Sequence, residues 1–328
     1  MEEKVKVKGI PGSTLKIIAI IAMLIDHIGA VVLEGWIQQS MSDSMTTEEA
    51  MQWLIDYGAI YYTDMLLRLI GRFGFPLFCF LLIEGFTHTG NIRKYIRNLA
   101  VCALVSELPF NLATSGKLFN PGYQNVFFTL LIGLLTLTAM KALAEDRTWS
   151  KKLVPLFYVS GFGVGALAMW KLKSSTFGSL TMLLGQYDVL WKELLIGGVI
   201  GLVIMSVLGA KWSADQKNSF MLHVFILIAG VLLADALMTD YSGWGVITTA
   251  LMYFFRSNKF RSMLVGCISL TVMSFMEVTA FFMLIPVSKY NGQRGLKIKY
   301  FFYVFYPVHL FILYLIAYFL GFRPFMIR

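Results

Sequence analysis

Charge is scarce in this chain of 328 residues: Asp, Glu, Lys and Arg together make up 14%. A typical soluble domain carries about 25%, so an ordinary cytosolic enzyme is excluded. Cysteine is scarce too. Cys79, Cys102 and Cys267 lie scattered in apolar runs with no CxxC pair, which excludes a disulfide framework and argues against zinc. They read as buried packing thiols. HExxH, P-loop, GxSxG and dinucleotide fingerprints are all missing, and no carboxylate or histidine spacing argues for a metal. No internal repeat or low-complexity linker divides the chain.

Apolar residues fill the space, at 57%, with a mean hydropathy of +0.69. Neither a disordered chain nor a coiled coil has that composition. The net charge of +9 would suggest nucleic acid on a soluble domain. On so apolar a chain it points to Lys and Arg holding cytoplasmic loops against anionic lipid. Membrane lipid is therefore the expected partner, and nucleic acid is not.

A transmembrane helix takes roughly 20 residues and a short loop, so the length admits about ten spans. The candidates are Leu15–Leu33, Met65–Phe86, Tyr95–Leu112, Val126–Ala142, Leu153–Trp170, Leu194–Ala210, Phe220–Leu237, Trp244–Phe255, Met263–Pro286 and Phe301–Leu320. Lys171–Lys192 is ambiguous and fits a re-entrant or interfacial piece. The first run resembles a signal peptide, but Asp26 and His27 interrupt it and no clean cleavage site follows, so it reads as a retained span. The expected fold class is all-α: a polytopic integral membrane protein with about ten transmembrane helices in one bundle. A cytoplasmic tail over residues 1–14 precedes a membrane domain over 15–320, and 321–328 form a short C-terminal tail.

Loop charges orient the bundle. The tail carries Lys4, Lys6 and Lys8, whereas the loop from Glu34 to Asp64 carries Asp43, Glu48, Glu49 and Asp56 and no Lys or Arg. Arg93, Lys94 and Arg97, then Lys141, Arg147, Lys151 and Lys152, continue the alternation. The N-terminus is thus expected in the cytoplasm of a multi-pass cell-membrane protein. With ten spans, the rule fails once. The loop with Lys289, Arg294, Lys297 and Lys299 falls outside. Either one span is wrong or this loop dips back.

Ionisable groups within spans are costly, at roughly 2.5–3.5 kcal/mol each, and usually mark a site. Lys16 and His27 are eleven residues apart, about three helical turns plus 20°, so they share a face about 16 Å apart along the axis. That arrangement suggests a tunnel with the imidazole as a general base. The plainer reading is a snorkelling Lys16 and one interhelical hydrogen bond from His27. Asp26 orients His27 only indirectly, since adjacent residues point about 100° apart. Arg68 and Arg72 share a face, as do Glu84 and His88, with Pro76 placed to kink the helix between the pairs. The arginines suit phosphate or carboxylate, although Arg68 alone reads as an interfacial anchor. Glu107, Asn125 and Thr129, Asp235 and Asp240, Glu277, and His309 after Tyr303 and Tyr306 are further polar groups in apolar surroundings. His223 reads as a satisfied helix-end histidine.

Several blocks carry a family likeness. They are Leu15–Ala19 with Ile25-Asp26-His27-Ile28-Gly29-Ala30, Arg68–Arg72 with Phe75-Pro76, Glu84-Gly85-Phe86 with His88, and Ser106-Glu107-Leu108-Pro109-Phe110-Asn111. Asn125–Thr129, Asp235–Val246, Tyr290–Gly295 and Lys299–Leu310 continue the series. In this order the blocks resemble the TraX family, over about Leu15 to Leu310. Its founding member is needed for N-terminal acetylation of conjugative pilin. The family is similar to a wider group of multi-span membrane acyltransferases in which a basic residue and a histidine eleven positions apart open the first span. Here these are Lys16 and His27, with Lys where Arg is usual. The segments Glu34–Asp64 and Trp170–Leu190 are longer than the family core, so pilin is not assumed as acceptor.

The resemblance implies acetyl-CoA or another acyl-CoA as donor from the cytoplasm, no metal, and an amine or hydroxyl acceptor on a surface protein or glycan. His27 is then expected to deprotonate the acceptor, with Glu84, Glu107 or Asp240 holding its tautomer. Arg72, Asn125 or Tyr306 would stabilise the oxyanion, and Lys16, Arg68 and Arg294 would meet the CoA phosphates. Two rival classes stand beside this one. In a proton-coupled transporter, His27, Glu84, Glu107, Asp235 and Glu277 form a relay. The other is a membrane assembly factor without catalysis.

Overall fold

The computed structural model describes residues 8–41, 45–145, 154–173, 175, 178, 190–296 and 299–322. Outside them fall Lys4, Lys6, Arg147, Lys151, Lys152, Lys297, most of 174–189 and the end of the C-terminal tail. Among the described residues the chain is helix and turn, with two isolated backbone bridges and no strand.

Helix α1, Gly12–His27, runs without interruption into six residues of π-helix, Ile28–Leu33, and then into α2, Glu34–Ser40. Helix α3, Thr47–Gly71, starts on a capping box in which Thr46 Oγ1 accepts from Glu49 N and Glu49 accepts from Thr46 N. The segment from Glu34 to Asp64, expected as a loop, is therefore largely helical. Helix α4, Gly74–His88, follows after a break at Arg72 and Phe73. Pro76 accounts for the break: its ring crowds the carbonyl four residues back, that of Arg72, and it has no N–H to donate there. Together α3 and α4 form one apolar stretch, Thr47–His88, antiparallel to α1.

The remaining helices are α5 (Ile92–Ser115), α6 (Val126–Glu145), α7 (Val154–Lys173), α8 (Leu190–Gly209), α9 (Ala214–Ala236), α10 (Ser242–Phe254) and α11 (Lys259–Met273). A 3-10 segment, Phe275–Met283, leads to the short α12, Leu284–Ser288, and α13 is Lys299–Phe319. Asn91, Ser213 and Asn258 cap α5, α9 and α11 through side-chain oxygens, and Gly116 ends α5 in the left-handed region at φ 66°. Helices α7 and α8 meet where Gly165 faces Gly197 and Gly161 faces Gly201, too close for any side chain.

Among the described residues, seven helical stretches are long and apolar enough to cross a membrane: Gly12–Ser40, Thr47–His88, Val126–Leu143, Val154–Lys173, Trp191–Gly209, Ala214–Ala236 and Phe301–Phe319. Three of the ten expected segments differ from these. Tyr95–Leu112 lies in α5, which carries Arg93, Lys94 and Arg97 at its start, and Trp244–Phe255 is the 13-residue α10. Met263–Pro286 is a hairpin rather than a single span. Cys267 Sγ on α11 contacts the Ala280 carbonyl of the returning 3-10 segment at 3.3 Å. At the open end of the hairpin, Lys259 Nζ sits 4.5 Å from the centre of the Tyr290 ring.

That hairpin resolves the basic loop that breaks the charge rule. Ile10 N donates to the Lys289 carbonyl at 2.9 Å, Gly12 N to Gln293 at 2.7 Å, Ser13 N to Arg294 at 3.0 Å, and Asn291 N to Ile10 at 3.0 Å. The loop therefore lies at the end of the bundle that carries Gly12, here termed the near end. The chain enters at Lys259 and leaves at Lys289 at one end of the bundle, so Met263–Pro286 turns back on itself.

Candidate active site

The π-helical segment after His27 and the break between α3 and α4 face each other. A widened helix turn is a frequent device at functional sites, because it redirects neighbouring side chains. Between them opens a cavity with about 700 Å³ of empty space, counting its mouth. Asp26, His27, Arg68, Arg72, Asp240, Tyr123, Tyr241 and Tyr306 line it with Phe75, Phe110 and other apolar groups.

His27 packs on α13. Its Nδ1 lies 2.6 Å from His309 Nε2, and the rings lie edge to edge in nearly one plane, with centroids 4.9 Å apart and planes 13° from parallel. His309 Nδ1 lies 2.8 Å from the Phe305 carbonyl, which can only accept. For neutral rings this fixes both tautomers. His309 Nδ1 carries a proton and donates it to the carbonyl, so its Nε2 accepts. His27 Nδ1–H is then the donor, and Nε2 of His27 is left as the basic nitrogen. Phe305 lies nearly parallel to His309 with centroids 4.8 Å apart, and Tyr306 meets His27 edge-on at 5.9 Å.

Asp26 sits at the centre of a charge network. Its carboxylate takes Arg68 Nη1 at 2.7 Å and Arg72 Nη2 at 3.0 Å, and Arg72 Nη1 also reaches Glu277 at 3.1 Å. Gly71 makes this approach possible, because a Cβ there would overlap the Asp26 carboxylate. Thr279 on the same 3-10 segment as Glu277 donates to the Leu69 carbonyl at 2.7 Å. The hairpin is thus fastened to the α3–α4 break beside His27.

Of the residues singled out from sequence, His27, Asp240, Arg68, Arg72 and Tyr306 come together at the cavity. Asp240 accepts from Tyr123 OH and Tyr241 N, each at 3.0 Å. Glu84 does not join them: it accepts from Tyr290 OH at 2.9 Å toward the near end. Burial and this carboxylate push the Tyr290 phenol above its ordinary value. Glu107 is also away from His27, paired with Asn125 Nδ2 at 2.5 Å. The partner of His27 Nδ1 is thus His309 rather than a carboxylate. Asn125 spends its second amide proton on the Ala103 carbonyl at 2.9 Å, which removes it as an oxyanion donor and makes it a clamp between α5 and α6.

The shared face of Lys16 and His27 is real in space, since both turn toward α13. Lys16 Nζ lies 5.4 Å from the Phe302 ring centre, two turns before His309. Arg294 comes to the same end of α1 through its loop, with an exposed side chain. Arg68 and Arg72 line the cavity, but both are neutralised by carboxylates. Asp26, Glu277 and His309 were visible in the sequence as intramembrane polar groups, but nothing in their spacing linked them. Asp26 lies 42 and 46 positions from Arg68 and Arg72, Glu277 lies 205 from Arg72, and His309 lies 282 from His27.

Asp235 is also separately partnered, pairing with Lys171 at 2.6 Å. No group of three or more His, Cys, Asp or Glu suited to a metal occurs among the described residues.

Fold and site define a multi-pass helical membrane protein with a paired-histidine cavity roofed by an arginine–carboxylate network. The family model described as TraX protein matches residues 11–193 and 164–317, and the chain belongs to this family. It is similar to the probable fimbrial assembly protein FimC, serogroup H1, of Dichelobacter nodosus. The two are 28% identical over 239 residues, covering 70% of this chain and 83% of that protein. No solved structure matches the chain.

Proposed function

We propose that the protein is an acyl-CoA-dependent membrane acyltransferase, with acetyl-CoA as its donor and an amine or hydroxyl of a surface protein or glycan as acceptor. The observation that carries this reading is the tautomer chain from Phe305 through His309 to His27, which leaves one basic imidazole nitrogen at a cavity. Membership of the TraX family, linked to pilin acetylation, supports the same chemistry.

In this reading the near end is cytoplasmic. The seven long apolar stretches, with α5 and α10, make nine crossings, and the hairpin of α11 and α12 makes none. Lys16 and Arg294 meet the CoA phosphates at the near end, and the acyl group reaches the cavity along α1 and α13. His27 Nε2 takes the acceptor's proton as its nitrogen or oxygen attacks the thioester carbonyl. A C–N or C–O bond forms, the C–S bond breaks, and the CoA sulfur takes the proton back from His27 and leaves as the free thiol. Tyr306 and the remaining N–H groups of Arg72 face the developing oxyanion. Asp240 fixes Tyr123 and so shapes the wall opposite Tyr306.

The name of the Dichelobacter relative favours a second reading, an assembly factor without turnover. One experiment separates the two. Purified protein is incubated with radiolabelled acetyl-CoA and membranes from a deletion strain. Transfer of label to a surface component supports the enzyme; saturable binding with neither transfer nor hydrolysis supports the assembly factor.

A further inference from the structure

The wall of the cavity formed by Asp240 and Tyr241 belongs to an unusual turn. Among the described residues, the non-glycine positions with positive φ are Met238 (50°), Tyr241 (61°) and Ser242 (49°). All three fall within five residues of chain, at the junction of α9 and α10. Side chains rarely adopt this backbone, so the turn persists only where its surroundings over-determine it.

Asp235, in the last turn of α9, holds it. Its carboxylate accepts from Gly243 N at 2.8 Å and from Ser242 Oγ. Helix α10 has no side-chain cap at its own first position, so Asp235 supplies the anionic cap from the preceding helix. A largely buried carboxylate is stabilised by a countercharge. Lys171 provides it from α7, at 2.7 and 2.6 Å from the two oxygens. Lys171 is the one buried lysine among the described residues, 6% exposed, and α7 lines no part of the cavity. On the opposite side of the turn, Tyr241 stacks on Phe75 at 3.7 Å and Asp240 N donates to the Gln124 carbonyl at 2.8 Å.

We propose that Lys171 and Asp235 are positioning residues: a buried latch that holds the strained 237–242 turn, and with it Asp240 and Tyr241, in register with His27. The effect on catalysis rests on the acyltransferase reading; the effect on the turn does not.

Two readouts test the latch in full-length protein in nanodiscs. The first is hydrogen–deuterium exchange in Lys171→Met and Asp235→Asn. Exchange of the amides of 238–246 rises by about tenfold or more in both variants, while those of α1 and α4 stay unchanged. Lys171→Arg, which keeps the charge, restores much of the protection. The second is kinetic: Lys171→Met lowers kcat for acyl transfer by about tenfold with the donor KM within about twofold, because the turn borders the reacting end and not the phosphates. If Lys171→Met does not fold, Lys171→Gln and Lys171→Arg carry the same comparison. Unchanged exchange at 238–246 overturns the latch. Raised exchange with no transfer by the wild type upholds the latch and overturns the acyltransferase reading instead. Raised exchange with kcat unaltered in an active enzyme overturns the positioning role.

Discussion

His27 and His309, 282 positions apart in sequence, share a hydrogen bond of 2.6 Å between Nδ1 and Nε2. The pair ties the first membrane helix to the last. In the acyltransferase reading it takes the place of the carboxylate that commonly orients a general-base imidazole, and between neutral rings it costs no buried charge.

Replacing His309 with Phe keeps an aromatic ring in this position and removes the acceptor. Acyl transfer should fall by about a hundredfold in kcat, with the donor KM little changed, because His27 loses its fixed tautomer but the donor site is intact. Steady-state kinetics on purified protein check this. A kcat within about twofold of wild type would mean that His309 only packs.

Asp26 neutralises two arginines at once, and Arg72 passes the link on to Glu277. Asp26→Asn should destabilise the fold by about 3 kcal/mol, the lower end for a broken buried pair, since both guanidiniums keep some solvent contact. Gly71→Ala should cost about 1–3 kcal/mol by overlap with the same carboxylate. Thermal unfolding followed by tryptophan fluorescence in detergent reads both. Wild-type stability for Asp26→Asn would show that the network is not a structural element.

The loop after α12 and the N-terminal segment share one end of the helical bundle, the cytoplasmic one in the proposed reading. Cysteines introduced at Lys8 and at Gln293 should both react with an impermeant maleimide in inverted vesicles and be protected in intact cells. A cysteine at Gln38, at the opposite end of the first helical stretch, should behave the other way. The native Cys79, Cys102 and Cys267 are buried and give little background. Opposite labelling of Lys8 and Gln293 would contradict the hairpin.

This topology shows how far the sequence carries. Hydropathy marked the apolar segments well, because a bilayer imposes length and composition directly. It misread Met263–Pro286 because composition is blind to direction. A segment of 24 residues is long enough to cross, and only the Cys267–Ala280 and Lys259–Tyr290 contacts show that it turns back. The helical face of Lys16 and His27 was legible, since it follows from 100° per residue. The partners of His27, Asp26 and Arg72 were not, for they depend on which helices meet. Glu84 and Glu107 were plausible by depth alone, and their actual partners, Tyr290 and Asn125, are polar neighbours that the packing supplies.

Tyr290 locks the near end through Glu84, and its raised phenol gives the lock a pH dependence. The folded state holds this proton more tightly than the unfolded chain. Its contribution is therefore complete below about pH 10, the ordinary tyrosine value, and is lost as pH rises through the folded value. Tyr290→Phe should cost about 1 kcal/mol at neutral pH and show a shallower alkaline loss than wild type in the same melts. Parallel pH profiles would mean that the phenol does not titrate with unfolding.

The central claim is that His27 is the base of an acyl transfer. Its most direct test is the release of free CoA thiol from acetyl-CoA by purified wild type and by His27→Ala, each with deletion-strain membranes as acceptor. The account predicts release matched by acetylated acceptor in wild type, and a loss of about a hundredfold or more in His27→Ala with the protein still inserted and monodisperse. Wild-type turnover in His27→Ala, or no thiol release by either protein, would contradict it.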